Sequence, residues 1–183
     1  MNKYMILGGI SLVGLAPAFA DQSEFYAELG YARYGIDVSE QDFDPGAIQL
    51  RGGYEFSPYL GVELEAAVGT NDGSVSSDDA RLTVAVDQAI AGHFVARWPI
   101  SERAELIGRA GYQKLDVSVT GEQTGQPTVR QSGDGEGFVF GGGLEYQFGA
   151  FGVRADYTWA SEASPFPASD RIETLSVSLT KAF

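Results

Sequence analysis

Cysteine is absent from the 183-residue chain, which excludes disulfides, thiol chemistry and thiolate metal sites. Basic residues are scarce, with 12 Lys and Arg against 25 Asp and Glu for a net charge of −13, so nucleic acid is not an expected partner. Long apolar runs are lacking too. The longest, Met5 to Leu15, falls short of the roughly 20 residues a helix needs to cross a bilayer. Lys3 precedes it and Ala18-Phe19-Ala20 follows it, the pattern of a cleaved signal peptide over residues 1–20 and export through the Sec pathway. Residues 21–183 then form one domain, with 11 basic residues against 25 acidic ones and a net charge of −14. No other segment is apolar enough for a transmembrane helix, so this chain can cross a membrane only as strands.

What the chain does have is alternation. From Gly137 to Trp159, Phe138, Phe140, Leu144, Tyr146 and Phe148 fall on every second position or its multiple, and Phe151, Val153, Ala155, Tyr157 and Trp159 resume the rhythm after a two-residue break. This is a hairpin with one apolar face. Its second face holds glycine and charge, among them Gly141, Gly143, Glu145, Arg154 and Asp156. Bulk on one face and small or charged residues on the other fit lipid outside and a narrow polar lumen inside.

The same reading places a first strand over Ser23 to Tyr34, a second over Ile48 to Phe56 and a third over Leu60 to Val68. A fourth runs from Leu82 to Trp98, with Val84, Val86, Ile90, Phe94 and Trp98 on the lipid parity, Asp87 and His93 on the lumen parity, and Gln88 interrupting the apolar face. A fifth covers Leu106 to Tyr112, the hairpin supplies the sixth and seventh, and Ile172 to Phe183 is the eighth. Connections near Pro58, Ser101 and Ala150 are short. Those near Gln41, Ser76, Gln126 and Ser164 are long, the stretch from Asp116 to Glu136 being the longest, although Leu115, Val117 and Val119 suggest that its strand continues beyond the membrane. Phe25, Phe56, Trp98, Phe148, Phe151 and Phe183 gather beside the short turns and termini, and Tyr31, Tyr112, Phe138, Tyr157 and Trp159 toward the long loops, as two interfacial girdles. The expected fold is all-β, an eight-stranded antiparallel up-and-down transmembrane β-barrel.

The run GGYEFSPYLGVELEAAVG (Gly52 to Gly69), the glycine-rich GGGLEYQF (Gly141 to Phe148) and the terminal phenylalanine resemble the eight-stranded outer-membrane β-barrel family typified by the OmpA transmembrane domain and the OmpX and Ail group. The resemblance covers residues 21–183. It implies the outer membrane of a Gram-negative bacterium, contact with outer-membrane lipids and lipopolysaccharide, and recognition of Phe183 by the outer-membrane assembly machinery. Lys181 departs from the apolar or aromatic residue usual there, and a lysine at that level can snorkel to the inner headgroups. The wall-anchoring role of longer OmpA-type proteins is not expected.

An eight-stranded barrel is just wide enough inside for its own side chains, so charges within it must pair. The lumen parity gathers Glu28, Arg51, Glu63, Glu65, Asp87, His93, Arg109, Glu145, Arg154 and Asp156, with Glu55, Arg97 and Glu105 nearer the short-turn rim. This set reads as a structural ion-pair network and a possible gate, in which partner exchange among Arg51, Arg109 and Arg154 would open a small path, as the resemblance suggests. His93 lacks an adjacent Ser-Asn and is hidden from lipid by its parity; no catalytic residue, cofactor or metal is expected. Asp42, Asp44, Asp72, Asp78 and Asp79 offer carboxylates to divalent cations, but a calcium-loop spacing is missing and solvated surface charge is the expected reading. The expected role is structural or surface-interacting through four extracellular loops, as a monomer with an unidentified surface partner. A low-conductance porin is the alternative, and a soluble lipocalin-like binding barrel a more remote one.

Overall fold

The computed structural model describes residues 24–38, 41–77, 79–161 and 171–183. The expected signal peptide, Asp78 of the second loop and positions 162–170 of the fourth lie outside the described residues. The strands are β1 (Glu24–Val38), β2 (Gln41–Phe43), β3 (Gly46–Ser57), β4 (Leu60–Asn71), β5 (Gly73–Ser76), β6 (Ala80–Pro99), β7 (Ala104–Gln123), β8 (Val129–Phe148), β9 (Phe151–Ser161) and β10 (Arg171–Ala182).

The eight longer strands pair antiparallel in chain order. The ring closes where β1 meets β10, from Tyr26 opposite Ala182 to Ile36 opposite Ile172. Closure leaves the membrane-level strands without an edge, which a lipid-immersed sheet requires. β2 and β5 are additions at the end with the long connections, paired to β1 and β6. The opposite end is tightly turned. Phe148 faces Phe151 across Gly149-Ala150, and Gly149 has φ +71°, a sign that glycine adopts without steric cost.

The expected parities hold on most strands. Leu29, Leu50, Leu64, Phe94, Phe140 and Leu179 point outward and are exposed on the barrel wall. That arrangement is the inverse of a lipocalin-like barrel, whose apolar face would line the interior. The girdle residues are outward-facing at their two levels, with Phe25 against Tyr54 at 4.8 Å and Tyr112 edge-on to Phe138 at 5.4 Å.

Three expectations change. A register shift between Val86 and Gln88 inserts one residue into β6. A single extra residue reverses every side chain beyond it, so Val84 and Val86 are buried inside rather than facing lipid. Asp87, assigned to the lumen, is exposed on the wall at that bulge, and the anomalous Gln88 beside it donates to Asp116 at 2.6 Å. The stretch Asp116 to Glu136 is no long loop: β7 and β8 stay paired out to Gly121 and Val129. A turn closes them, with Gln126 N donating to Gln123 O at 3.0 Å. Its glycines, serines and threonines look like loop composition, yet backbone pairing tolerates them where one face still alternates Leu115, Val117 and Val119.

Candidate functional site: the barrel interior and its outer mouth

The interior divides into two zones. Toward the short-turn end, successive lumen-facing positions of adjacent strands carry opposite charges. Glu28 on β1 lies opposite Arg51 on β3, which lies opposite Glu65 on β4. Across the ring, Glu145 on β8 is opposite Arg154 on β9. A narrow barrel brings these rows to hydrogen-bonding distance.

Arg154, fully buried, reaches Glu28 Oε1 and Glu63 Oε1, each at 2.6 Å, and Asp156 Oδ1 at 2.9 Å. Arg51 holds Glu65 at 2.6 Å, Asp156 at 2.8 Å and Glu28 at 3.0 Å, and donates to Ser176 Oγ at 3.1 Å. Arg109 meets Glu63 at 2.6 Å and Glu65 at 3.6 Å. Most carboxylates therefore bridge two guanidinium groups, so each cation fixes several strands at once. Gly143 is obligatory here, since a Cβ at that position would overlap Asp156 Oδ1.

A second cluster sits nearer the rim. Arg97 pairs with Glu55 at 2.8 Å, Glu145 at 3.1 Å and Glu105 at 3.3 Å. Its guanidinium lies 4.7 Å from the centre of the Tyr26 ring, and Tyr26 OH donates to Glu63 Oε1 at 2.6 Å. Tyr26 is thus the link between the clusters. Alternation puts it on the lumen parity but gives it no role, and puts Arg97 merely near the rim, although it is buried and serves as the hub. Two acidic positions facing one Arg across adjacent strands, Glu105 opposite Glu145, are the available signal.

His93 is buried as its parity requires. Its Nδ1 has no hydrogen-bond partner among the described residues.

Toward the long-connection end the interior changes character. Ala32, Tyr34 and Ile36 of β1, Val84 and Val86 of β6, Leu115 and Val117 of β7, Val139 of β8 and Ile172 of β10 pack with one another, and Phe43 of β2 is seated among them, about 1% exposed. Val75, Leu82 and Val119 continue this packing upward. Alternation alone misses this zone because it assigns Val84 and Val86 to lipid and β2 to a loop. Among the loop acids, Asp44 pairs with Arg33 at 2.9 Å on the surface. No three His, Asp or Glu side chains converge in a metal-like group among the described residues.

A family model described as "Outer membrane protein beta-barrel domain" matches residues 5–181. No curated protein matches the chain. Among solved structures, the chain is similar to Ail, the attachment invasion locus protein of Yersinia pestis, in complex with the heparin analogue sucrose octasulfate: TM-score 0.62 at 18% identity, covering 88% of this chain and 99% of that one. It is similar to a major outer membrane protein from Thermus thermophilus at TM-score 0.61 and 14% identity, covering 89% and 100%. The Neisserial surface protein A gives 0.58 at 13% identity, covering 89% and 100%. At these identities the structures bear on fold alone, and they agree with the closed ring. With the family model spanning nearly its whole length, the chain belongs to the outer-membrane protein β-barrel domain family.

Proposed function

We propose that this small outer-membrane barrel is closed along its axis, and that its role is structural and surface-interacting, carried by the extracellular end. The observation that supports this is a lumen filled by two different materials in series. The periplasmic half holds an ion-pair network, and the extracellular half holds apolar packing into which Phe43 is seated. Exchange of partners among Arg51, Arg109 and Arg154 would loosen only the first, and a dry apolar constriction still excludes ions. The experiment is single-channel recording in planar bilayers. The protein is expected to be silent, and Arg109→Gln equally silent; steady openings that change with Arg109→Gln would favour the low-conductance porin.

The same reading includes Sec export, monomeric insertion among outer-membrane lipids and lipopolysaccharide, and recognition of Phe183 by the assembly machinery. Lys181 Nζ lies 5.0 Å from the Phe183 ring centre and 5.8 Å from that of Phe151, which allows the lysine to sit at the inner headgroups without disrupting the aromatic terminus. The ligand of the Ail complex is a polysulfated sugar. Here the exposed extracellular side chains include Asp42, Asp44, Asp72, Asp79, Asp134 and Glu136 against Arg33, Arg81, Lys114 and Arg130, so a polyanion of that kind is not the expected partner.

A further inference from the structure

Two backbone irregularities on the extracellular wall coincide. β4 pairs with β6 only as far as Val68 opposite Gln88, and β5 resumes the pairing at Gly73 opposite Val84, which leaves a gap in the ladder over residues 69–72 although Gly69 still lies against the Val86 carbonyl. The β6 bulge at Asp87 lies beside that gap. Between them is a pocket of about 230 Å³ whose polar lining includes Asp72, Thr83, Asp87, Ser118, Thr120 and Arg130. Bulges commonly re-aim side chains at functional positions.

The pocket faces outward. Thr83 is opposite Thr120, Ala85 opposite Ser118 and Thr120 opposite Arg130, on the parity opposite to Val84, Val117 and Val119, which line the interior. Ser118 is nonetheless about 2% exposed. It donates to Asp87 Oδ1 at 3.2 Å and accepts from Arg130 Nη2 at 3.0 Å. Arg130 is also 3.5 Å from Asp87. The wall therefore presents the Thr83 and Thr120 hydroxyls, two carboxylates and one guanidinium, with the buried Ser118 hydroxyl beneath them holding Asp87 and Arg130 in place, on a face that is apolar lower down.

The geometry points to a binding site for a single sugar ring, and it rests on the reading of the extracellular end as the interaction surface. Hydroxyls that both donate and accept, flanked by carboxylates that accept from adjacent sugar hydroxyls and a guanidinium that donates to them, match the alternating donors and acceptors of a hexose. Two acids against one base disfavour a phosphate or sulfate. The volume equals that of about seven or eight waters, which suits one ring and not a peptide or an acyl chain. Ser118 lies six residues beyond the girdle residue Tyr112, roughly 20 Å along the strand, so the pocket opens above the acyl chains. The ring could come from the membrane's own glycolipid or from a soluble glycan.

The test uses the refolded protein in nanodiscs, with the backbone and side-chain NMR signals of Thr83, Ser118 and Thr120 followed in two arms. One titrates methyl α-glucoside and methyl α-mannoside into phosphatidylcholine discs; the other compares those discs with discs containing lipopolysaccharide that carries core sugars. Saturable shifts with a free glycoside assign a soluble sugar, and shifts confined to the lipopolysaccharide discs assign the glycolipid. Ser118→Val and, independently, Thr83→Val are expected to weaken the response at least tenfold while heat-modifiable gel migration stays normal. No shift in either arm, or a shift unaltered in both variants, overturns the proposal. Such a failure leaves the silent-barrel reading intact, because that reading is judged by conductance.

Discussion

The two halves of the lumen solve the same packing problem by different physics. In the half toward the short turns, four guanidinium groups, Arg51, Arg97, Arg109 and Arg154, are surrounded by Glu28, Glu55, Glu63, Glu65, Glu105, Glu145 and Asp156. Order there depends on every charge finding its partner, since a buried ion left alone is costly whereas a satisfied network is merely neutral to modestly favourable. In the half toward the long connections, Tyr34, Ile36, Phe43, Leu115 and Ile172 are almost fully buried, and order depends on shape and burial of apolar area. The first zone is intolerant of single changes and tolerant of balanced ones. The second loses stability in proportion to the volume removed.

That contrast is broken most severely by Arg154→Met, which takes one guanidinium partner from each of Glu28, Glu63 and Asp156 and leaves buried carboxylate in excess around an apolar side chain. A loss of about 3–5 kcal/mol is expected, read as a lower urea midpoint for refolded protein in detergent. Adding Glu28→Gln and Glu63→Gln to it should recover part of that loss; a further drop would mean that shape, not charge balance, governs this half. Next in size is Leu115→Ala in the apolar half, with an expected cost of about 2–4 kcal/mol. It should show no rescue by any charge change, and coupling to Arg154→Met measured in a double-mutant cycle should stay near additivity if the two zones are independent. The smallest effect belongs outside both zones. Arg33→Gln removes the surface pair with Asp44, whose side chains are 58% and 60% exposed, and should shift stability by under about 1 kcal/mol; a larger loss would show that the mouth is held by this pair rather than by Phe43.

Legibility in the sequence follows the periodicity. Arg154, Asp156, Glu145, Arg51 and Glu28 fall to the lumen because alternation on β1, β3, β8 and β9 is uninterrupted, and the structure brings them together as paired groups. Asp87 is misplaced when the parity count is carried through a bulge. The clue is present, as two adjacent polar residues, Asp87 and Gln88, cannot both obey a two-residue period, but a single exception near a strand end is easily tolerated. The paired continuation of β7 and β8 is partly visible in Leu115, Val117 and Val119. Gly133, Gly135 and Gly137 conceal its other strand, because residues without side chains carry no pattern.

The closed antiparallel barrel, its outward apolar face and its girdle levels were written in the chain's local pattern. All of these follow from a period of two and from the solvent each face must meet. Folding in three dimensions settled which charges pair across the ring, that Tyr26 joins two clusters, that Phe43 is seated in an apolar upper half, and that the bulge and the ladder gap beside it form a polar pocket. Each of these depends on register and closure, which place residues from strands far apart in sequence within a few ångströms, and no local pattern encodes that distance.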